Sequence, residues 1–412
     1  MSDGPFEFTK EFITERCDFC GRCFAECPVL HLQVETAVTE IQKIIRGESS
    51  EILDRCTGCM ACNTICPQNA NPHTLIISRW GERCRSGGIP ERARMVLPYQ
   101  QHNLHETGQQ FLTGREKDLL RTWENNWRSP PECDTMMFAG CNMMLLPFIL
   151  DSPVYKELPI FGSLSLCCGE PFYRMGCWDA ARAAALNVQH EFKRMGLKTI
   201  VVPCLACYHL FAQVYPHILD VPLSVEVISL ETWLCDRLRK GALLVSPLNK
   251  TAVLHDNCWP KASGDRLFEE VRELLDRIGV TVTEAPHARE NALCCGMCAG
   301  ASRFRMGDIV RTAQRLLREL EDSAAEWAVE YCGGCAWLLS LVNQIPGSHY
   351  SKPRYHVLEL VRMAAGETPV RLTDERMKQV ILAMAPGLLW HYAKGGRFFP
   401  DEIQGIPDHD QE

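Results

Sequence analysis

Ten cysteines fall into two sets with one grammar: Cys141, Cys167-Cys168-Gly169 and Cys204-x2-Cys207, then Cys258, Cys294-Cys295-Gly296 and Cys332-x2-Cys335. From the glycine to the next cysteine lie 34 residues in the first copy and 35 in the second. A disulfide scaffold has no use for two adjacent cysteines, a glycine and a distant CxxC pair, whereas thiolates gathered round a metal–sulfur cluster do. The recurrence marks an internal duplication. Five cysteines per copy exceed the four thiolates of a regular cube. Either five thiolates bridge an unusual cluster, or a regular cube sits beside a spare thiol.

A second pattern precedes these: Cys17-x2-Cys20-x2-Cys23-x3-Cys27-Pro28, repeated as Cys56-x2-Cys59-x2-Cys62-x3-Cys66-Pro67. In the bacterial ferredoxin run, three closely spaced thiolates hold one [4Fe–4S] cube and the fourth serves the neighbouring cube. By that rule Cys17, Cys20, Cys23 and Cys66 form one ligand set, and Cys56, Cys59, Cys62 and Cys27 the other. Zinc sites use CxxC pairs without a third cysteine two residues on and a closing Cys-Pro. Gly21 and Gly58 suit backbone wrapped round a cluster, and Pro28 and Pro67 end the loops. Cys84, Cys133, Cys177, Cys235 and Cys298 stand outside every motif, Cys298 close to Cys295.

The elements that position these residues follow from periodicity. Val38, Ile41, Ile44 and Ile45 give residues 35–46 a helical spacing that separates the two ferredoxin-type loops. In the duplicated part, strand-like runs lead to cysteines: TMMFAGC to Cys141, TIVVP to Cys204, TAVLHDNC to Cys258 and WAVEY to Cys332. Helical stretches at 179–195 and 308–320 lie between. Strand alternating with helix predicts α/β units with a largely parallel sheet and a site outside the strand C-termini. After each CCG comes Arg-Met-Gly, Arg174–Gly176 and Arg305–Gly307, with Asp179 and Asp308 near enough to cap the following helix. Either the helix N-termini, each with an arginine, point toward their own clusters, or these are ordinary helix entries with solvent-facing arginines.

The expected organisation is a small, mainly α ferredoxin-like domain with two cubes (1–95), a connecting arm (96–132) with surface helices and no catalytic group, two CCG units (133–245 and 246–365) and a C-terminal tail (366–412). The tail carries Trp390-His391-Tyr392 and Arg397-Phe398-Phe399-Pro400, suited to docking. With 412 residues, 46% of them hydrophobic, full cores are expected. Twenty-three cysteines in a long chain opening MSDGPFEFTK, with no basic start and apolar core, point to a reducing cytoplasm. The apolar run at 143–150, broken by Pro147, is too short to span a bilayer. A net charge of −8 without a basic stretch argues against nucleic acid.

The tandem C…CCG…CxxC units resemble the catalytic subunit of heterodisulfide reductase and the wider family of CCG proteins. The N-terminal segment is similar to that enzyme's ferredoxin subunit, fused in front. The resemblance implies two noncubane [4Fe–4S] clusters, one on Cys141, Cys167, Cys168, Cys204 and Cys207, the other on Cys258, Cys294, Cys295, Cys332 and Cys335, beside two cubanes. It also implies that a disulfide between the two noncubane sites is cleaved to two thiols. His255, three residues before Cys258, is either a proton source for them or a hydrogen-bonded structural residue at a strand end. Iron–sulfur subunits of glycolate oxidase and anaerobic glycerol-3-phosphate dehydrogenase share the plan and relay electrons from a flavin subunit toward quinone. No GxGxxG or P-loop occurs. A flavin-containing or membrane cytochrome subunit is therefore the expected donor, holding the chain at the inner face of the membrane, and the disulfide substrate is small or protein-borne.

Overall fold

The structure is a computed structural model that describes residues 6–297, 305–348 and 350–407. Eight short strands form the frame of the duplicated part. They are β2 (Thr135–Phe138), β3 (Ile160–Phe161), β4 (Thr199–Val202) and β5 (Glu226–Ser229), then β6 (Lys250–His255), β7 (Val280–Glu284), β8 (Trp327–Glu330) and β9 (Arg354–His356). Met136, Met137 and Phe138, like Ala252, Val253 and Leu254, are fully buried in succession, as expected of strands covered on both faces.

The two sheets have one topology, β3-β2-β4-β5 and β7-β6-β8-β9, with every pairing parallel. In each, the chain leaves the central strand toward one edge and returns on the other side. The order therefore reverses between β2 and β4, and between β6 and β8, where an open α/β sheet leaves a crevice at its strand C-termini. Cys141 and Cys204 follow the first pair of strands and Cys258 and Cys332 the second, so duplicated topology explains duplicated grammar. The shorter interval from Cys141 to Cys167 also has a cause. Helix Asp265–Arg277 fills the corresponding interval of the second unit, where the first has only helix Gly140–Leu145 and single turns.

Helices Trp178–Met195 and Met306–Glu321 cross between strands as expected, but their caps differ from expectation. Cys177 and Arg305 occupy the N-cap positions without a side-chain bond to the helix's own N–H groups, and Asp179 and Asp308 lie inside the first turn. There the carboxylates favour the positive end of the helix dipole instead of capping it. Helices Leu205–His209 and Gly333–Asn343 begin on cysteines, with Cys204 and Cys332 as N-caps. These are the helix ends directed at the cysteine sets.

The segment expected as an arm is packed into the core. Helix Gly114–Arg128 opens with a capping box of Thr113 and Glu116 and buries Trp123, and helix Leu104–Gln109 buries Leu104 and His105. The C-terminal segment forms helix Thr373–Lys394, which lies against helices 333–343 and 104–109. Beyond it, β10 (Arg397–Phe398) pairs antiparallel with β1 (Ile89–Pro90), and the Arg94 guanidinium lies 3.9 Å over the Phe398 ring.

The ferredoxin-like part is made of single helical turns round its cysteines and two longer helices, Val34–Ile45 and Pro72–Gly87. The second of these touches the first CCG unit backbone to backbone. A Cβ on Gly176, whose φ is +69°, would stand 2.4 Å from the Ile77 carbonyl oxygen, and one on Gly81 would stand 2.4 Å from the Gly176 oxygen.

Candidate functional site

Cys17, Cys20, Cys23 and Cys66 wall one pocket of the ferredoxin-like part, with Asp18 and Gln68 beside them. Cys27, Cys56, Cys59 and Cys62, with Cys23 at the margin, wall a second. Backbone N–H groups of Gly58 and Ala70 point at the sulfurs of Cys56 and Cys66, at 3.3 and 3.4 Å. Burial, then the nearby Cys59, pushes the Cys27 thiol up to about 11, and burial raises Cys62 well above the usual thiol range. Four thiols gathered round each pocket, with backbone N–H groups directed at the sulfurs of Cys56 and Cys66, are a donor set that fits an iron–sulfur cluster.

The CCG cysteines come together in the same way. Cys168 and Cys207 sulfurs are 3.4 Å apart, far beyond the ~2.05 Å of a disulfide. Hydrogen bonds further link Cys141 to Cys167, Cys167 to Cys168 and Cys204 to Cys207, so all five thiols of the first unit are in contact. Bonds from Cys167 and Cys207 draw Cys168 down to about 7, and one from Cys207 draws Cys204 down to about 7. In the second unit Cys294, Cys295, Cys335 and Cys332 form a similar chain. Each CCG glycine is left-handed because it is pressed on its crossover helix. A Cβ would stand 2.9 Å from Ala184 Cβ at Gly169, and 2.9 Å from the Ile309 oxygen at Gly296.

The two sets face one cavity of ≈ 390 Å³. All five cysteines of the first unit wall it, together with Cys258, Cys295, Cys332 and Cys335 of the second. Cys294 is buried next to Cys295 and accepts the Gly296 N–H at 3.3 Å. Asn142 joins the halves, its amide donating to Cys204 Sγ at 3.6 Å and its oxygen accepting from Trp337 Nε1 at 3.1 Å. The opposite wall is apolar and comes from helices 333–343 and 373–394, among others through Leu338, Leu341, Val380, Ile381, Met384 and Leu388.

Three groups at the site lay outside the sequence reading. His105 lines the cavity and hydrogen-bonds Cys141. Burial lowers its pKa, but the Cys141 charge and hydrogen bond outweigh that and hold it above the ordinary imidazole value. Tyr99 donates to the Cys167 carbonyl at 3.0 Å, and Tyr215 to that of Cys168 at 3.0 Å. Tyr99 and His105 belong to the segment expected as an arm, and no spacing relates any of the three to a cysteine motif.

His255, expected as a proton source, is buried on β6 opposite Glu330, and burial lowers it to about 4. It is neutral at pH 7 and contributes packing. The repeated arginines also diverge. Arg174 is fully buried and donates to the Gly58 carbonyl of the ferredoxin-like loop, while Arg305 is exposed, 3.8 Å from Asp54. Cys84 and Cys177 are buried and hydrogen-bonded to each other, Cys133 is partly exposed and Cys235 buried. Cys298 lies outside the described residues.

Comparison with known proteins agrees with this geometry. Residues 9–67 match a 4Fe-4S dicluster domain, and residues 155–212 and 252–340 match the cysteine-rich CCG domain. One subunit of the dihydromethanophenazine:CoB–CoM heterodisulfide reductase of Methanosarcina barkeri is 24% identical over 73% of this chain and 76% of its own length. The chain is a CCG-domain protein similar to a heterodisulfide reductase subunit. This CCG protein is an iron–sulfur oxidoreductase subunit. It is also similar to the glycolate oxidase iron-sulfur subunit of Escherichia coli, 25% identical over 82% of this chain and 92% of that one. A subunit of the anaerobic glycerol-3-phosphate dehydrogenase of the same organism is 29% identical over 52% of this chain and 56% of that one. Among solved structures, a hypothetical protein from Helicobacter pylori shares the fold of the CCG protein, with a TM-score of 0.52 and 14% identity, over 82% of this chain and 65% of that one. The first CCG match starts after Cys141, which the fold nonetheless brings to Cys167. No helix among the described residues is long and apolar enough to cross a membrane.

Proposed function

We propose that the CCG protein reductively cleaves a disulfide in the cavity between its two CCG units. The observation that carries this is the shared wall: cysteines from both units face one space instead of two. The reaction balances as R–S–S–R′ + 2 e⁻ + 2 H⁺ → RSH + R′SH. Iron–sulfur clusters held by the eight ferredoxin-type cysteines and by the five cysteines of each CCG unit would supply electrons one at a time, so a two-electron step would suit a paired site. The protein orients the substrate between the units, and His105 stands where a leaving sulfur on the Cys141 side can take its proton. The apolar wall places an apolar substituent of the disulfide against helix 373–394.

Electrons arrive from a partner subunit, flavin-containing or a membrane cytochrome, at the pocket of Cys17, Cys20, Cys23 and Cys66. Cys17, Cys20 and Cys66 are only half-buried there, and Phe19 is 39% exposed beside them. The test is turnover with a reduced low-potential dye and a panel of disulfides, measured as thiol release.

The apolar wall favours a second reading, in which the cavity passes electrons to a lipophilic quinone. Leu389 and Trp390, at the outer end of helix 373–394, are 69% and 58% exposed. Dye-driven quinone reduction without any disulfide reduction selects this reading over the first.

A further inference from the structure

Two fully buried cations lie where the ferredoxin-like part meets both CCG units. The Lys261 ammonium donates to the Cys59 carbonyl at 3.1 Å and to the Ala292 carbonyl at 2.7 Å. It thereby ties the loop of the inner thiol pocket to the segment that leads into Cys294. The Arg174 guanidinium donates to the Gly58 carbonyl of that same loop, to His73 Nε2 at 3.2 Å and to Glu170 at 3.1 Å. It also lies 3.9 Å over the ring of Trp259, the neighbour of Cys258. Glu170 opens the helix that follows Cys167-Cys168-Gly169. The inner pocket, the first CCG unit and the second are thus joined through these two side chains.

Burying an ammonium costs several kcal/mol unless negative charge is close. Among the described residues no carboxylate pairs with Lys261, whose bonds go to carbonyls. The cluster thiolates are the negative charge available. The outer pocket has the opposite polarity, with Asp18 accepting the Cys20 N–H at 3.1 Å and holding Gln68. Reduction adds one negative charge to a cluster, so a neighbouring cation stabilises the reduced form and a neighbouring carboxylate destabilises it.

We propose that Arg174 and Lys261 are positioning residues that hold the cube of Cys27, Cys56, Cys59 and Cys62 at a higher potential than the cube of Cys17, Cys20, Cys23 and Cys66, making the inner cube the point from which electrons leave for both CCG units. This rests on the four-cluster reading. The direction of flow is then built into the fold: Asp18 stands at the outer pocket, and at the inner one stand Lys261, which no carboxylate pairs among the described residues, and Arg174, whose charge Glu170 offsets in part.

The test uses the reconstituted full-length chain in a potentiometric titration followed by electron paramagnetic resonance. Lys261→Gln keeps two N–H donors for the same carbonyls and removes the charge, while Lys261→Arg keeps the charge. In K261Q the ratio of reduced to oxidised inner cube at fixed potential should fall at least about tenfold, which for one electron is about 59 mV. The outer cube should not move, K261R should stay close to wild type, and Arg174→Gln should shift the same cube in the same direction. An unshifted inner cube in K261Q with full iron content overturns the proposal. So does loss of the inner cube from both K261Q and K261R, which would make Lys261 a packing group. If only K261Q loses it, R174Q decides by the same shift. Iron content of the wild type is read separately, so absence of the cubes themselves would count against the four-cluster reading and not against these two residues.

Discussion

Arg376 and Glu116, 260 positions apart in the chain, meet as a buried ion pair in which the Nη2 of Arg376 donates to both carboxylate oxygens, at 3.0 and 2.8 Å. The pair fixes the start of helix 373–394, one wall of the cavity that the CCG cysteines share, to helix 114–128, and Arg376 also donates to the Leu145 carbonyl at 3.0 Å. Removing one partner leaves an uncompensated buried charge, at a cost of about 3–5 kcal/mol. Arg376→Met should therefore lower unfolding free energy by that order and speed hydrogen exchange across 373–394. Exchange equal to wild type in that helix would show that the pair does not hold the wall.

The contact of Gly81 with Gly176 docks the ferredoxin-like part on the first CCG unit. Gly176→Ala forces both backbones apart and should cost about 1–3 kcal/mol, as overpacking does. Faster exchange in helix 72–87 is the expected signature. Gly196→Ala, at φ +66° but with open space around it, serves as the control. Equal effects of the two substitutions would mean that φ strain alone acts at Gly176.

His105 is the cavity's imidazole. Its replacement by glutamine should slow thiol release about 10²-fold, the lower range for a general acid, while iron content stays at the wild-type level. Unchanged thiol release would remove His105 from the reaction.

Burial lifts Glu231 to about 8, well above the 4.5 of an ordinary glutamate. Between those values the folded state keeps a proton that the unfolded chain has released, so stability falls as pH rises from 4.5 to about 8. Glu231→Gln removes this dependence. The variant should gain melting temperature over wild type at about pH 8 and gain little at about pH 5, and an equal gain at both would refute the titration.

The gathering of the motif cysteines was legible from spacing, because cysteines in local runs stay together in any fold and the CCG glycine takes a left-handed turn against a crossover helix. The parallel strands were legible too, since Met136–Phe138 and Ala252–Leu254 are continuous apolar runs. His105, Lys261 and helix 373–394 were not. Each reaches the site through tertiary packing, and nothing in its own neighbourhood in sequence marks the cysteine it will meet. His255, three positions from Cys258 in sequence, shows the converse: nearness in sequence does not reveal that burial keeps the imidazole neutral. The Arg-Met-Gly echo likewise survives in sequence after the two arginines have taken different partners.

The central claim is that cysteines of both CCG units act on one disulfide, and a single-turnover experiment tests it most directly. Fully reduced, iron-replete protein, freed of excess reductant, is mixed with a disulfide carrying an apolar substituent, and released thiol is counted per chain. The account predicts two thiols per disulfide consumed in wild type, and none in Cys295→Ser or Cys168→Ser proteins whose ferredoxin-type cubes still reduce normally. Wild-type protein that releases no thiol from any disulfide, yet passes its electrons to a lipophilic quinone, would contradict it.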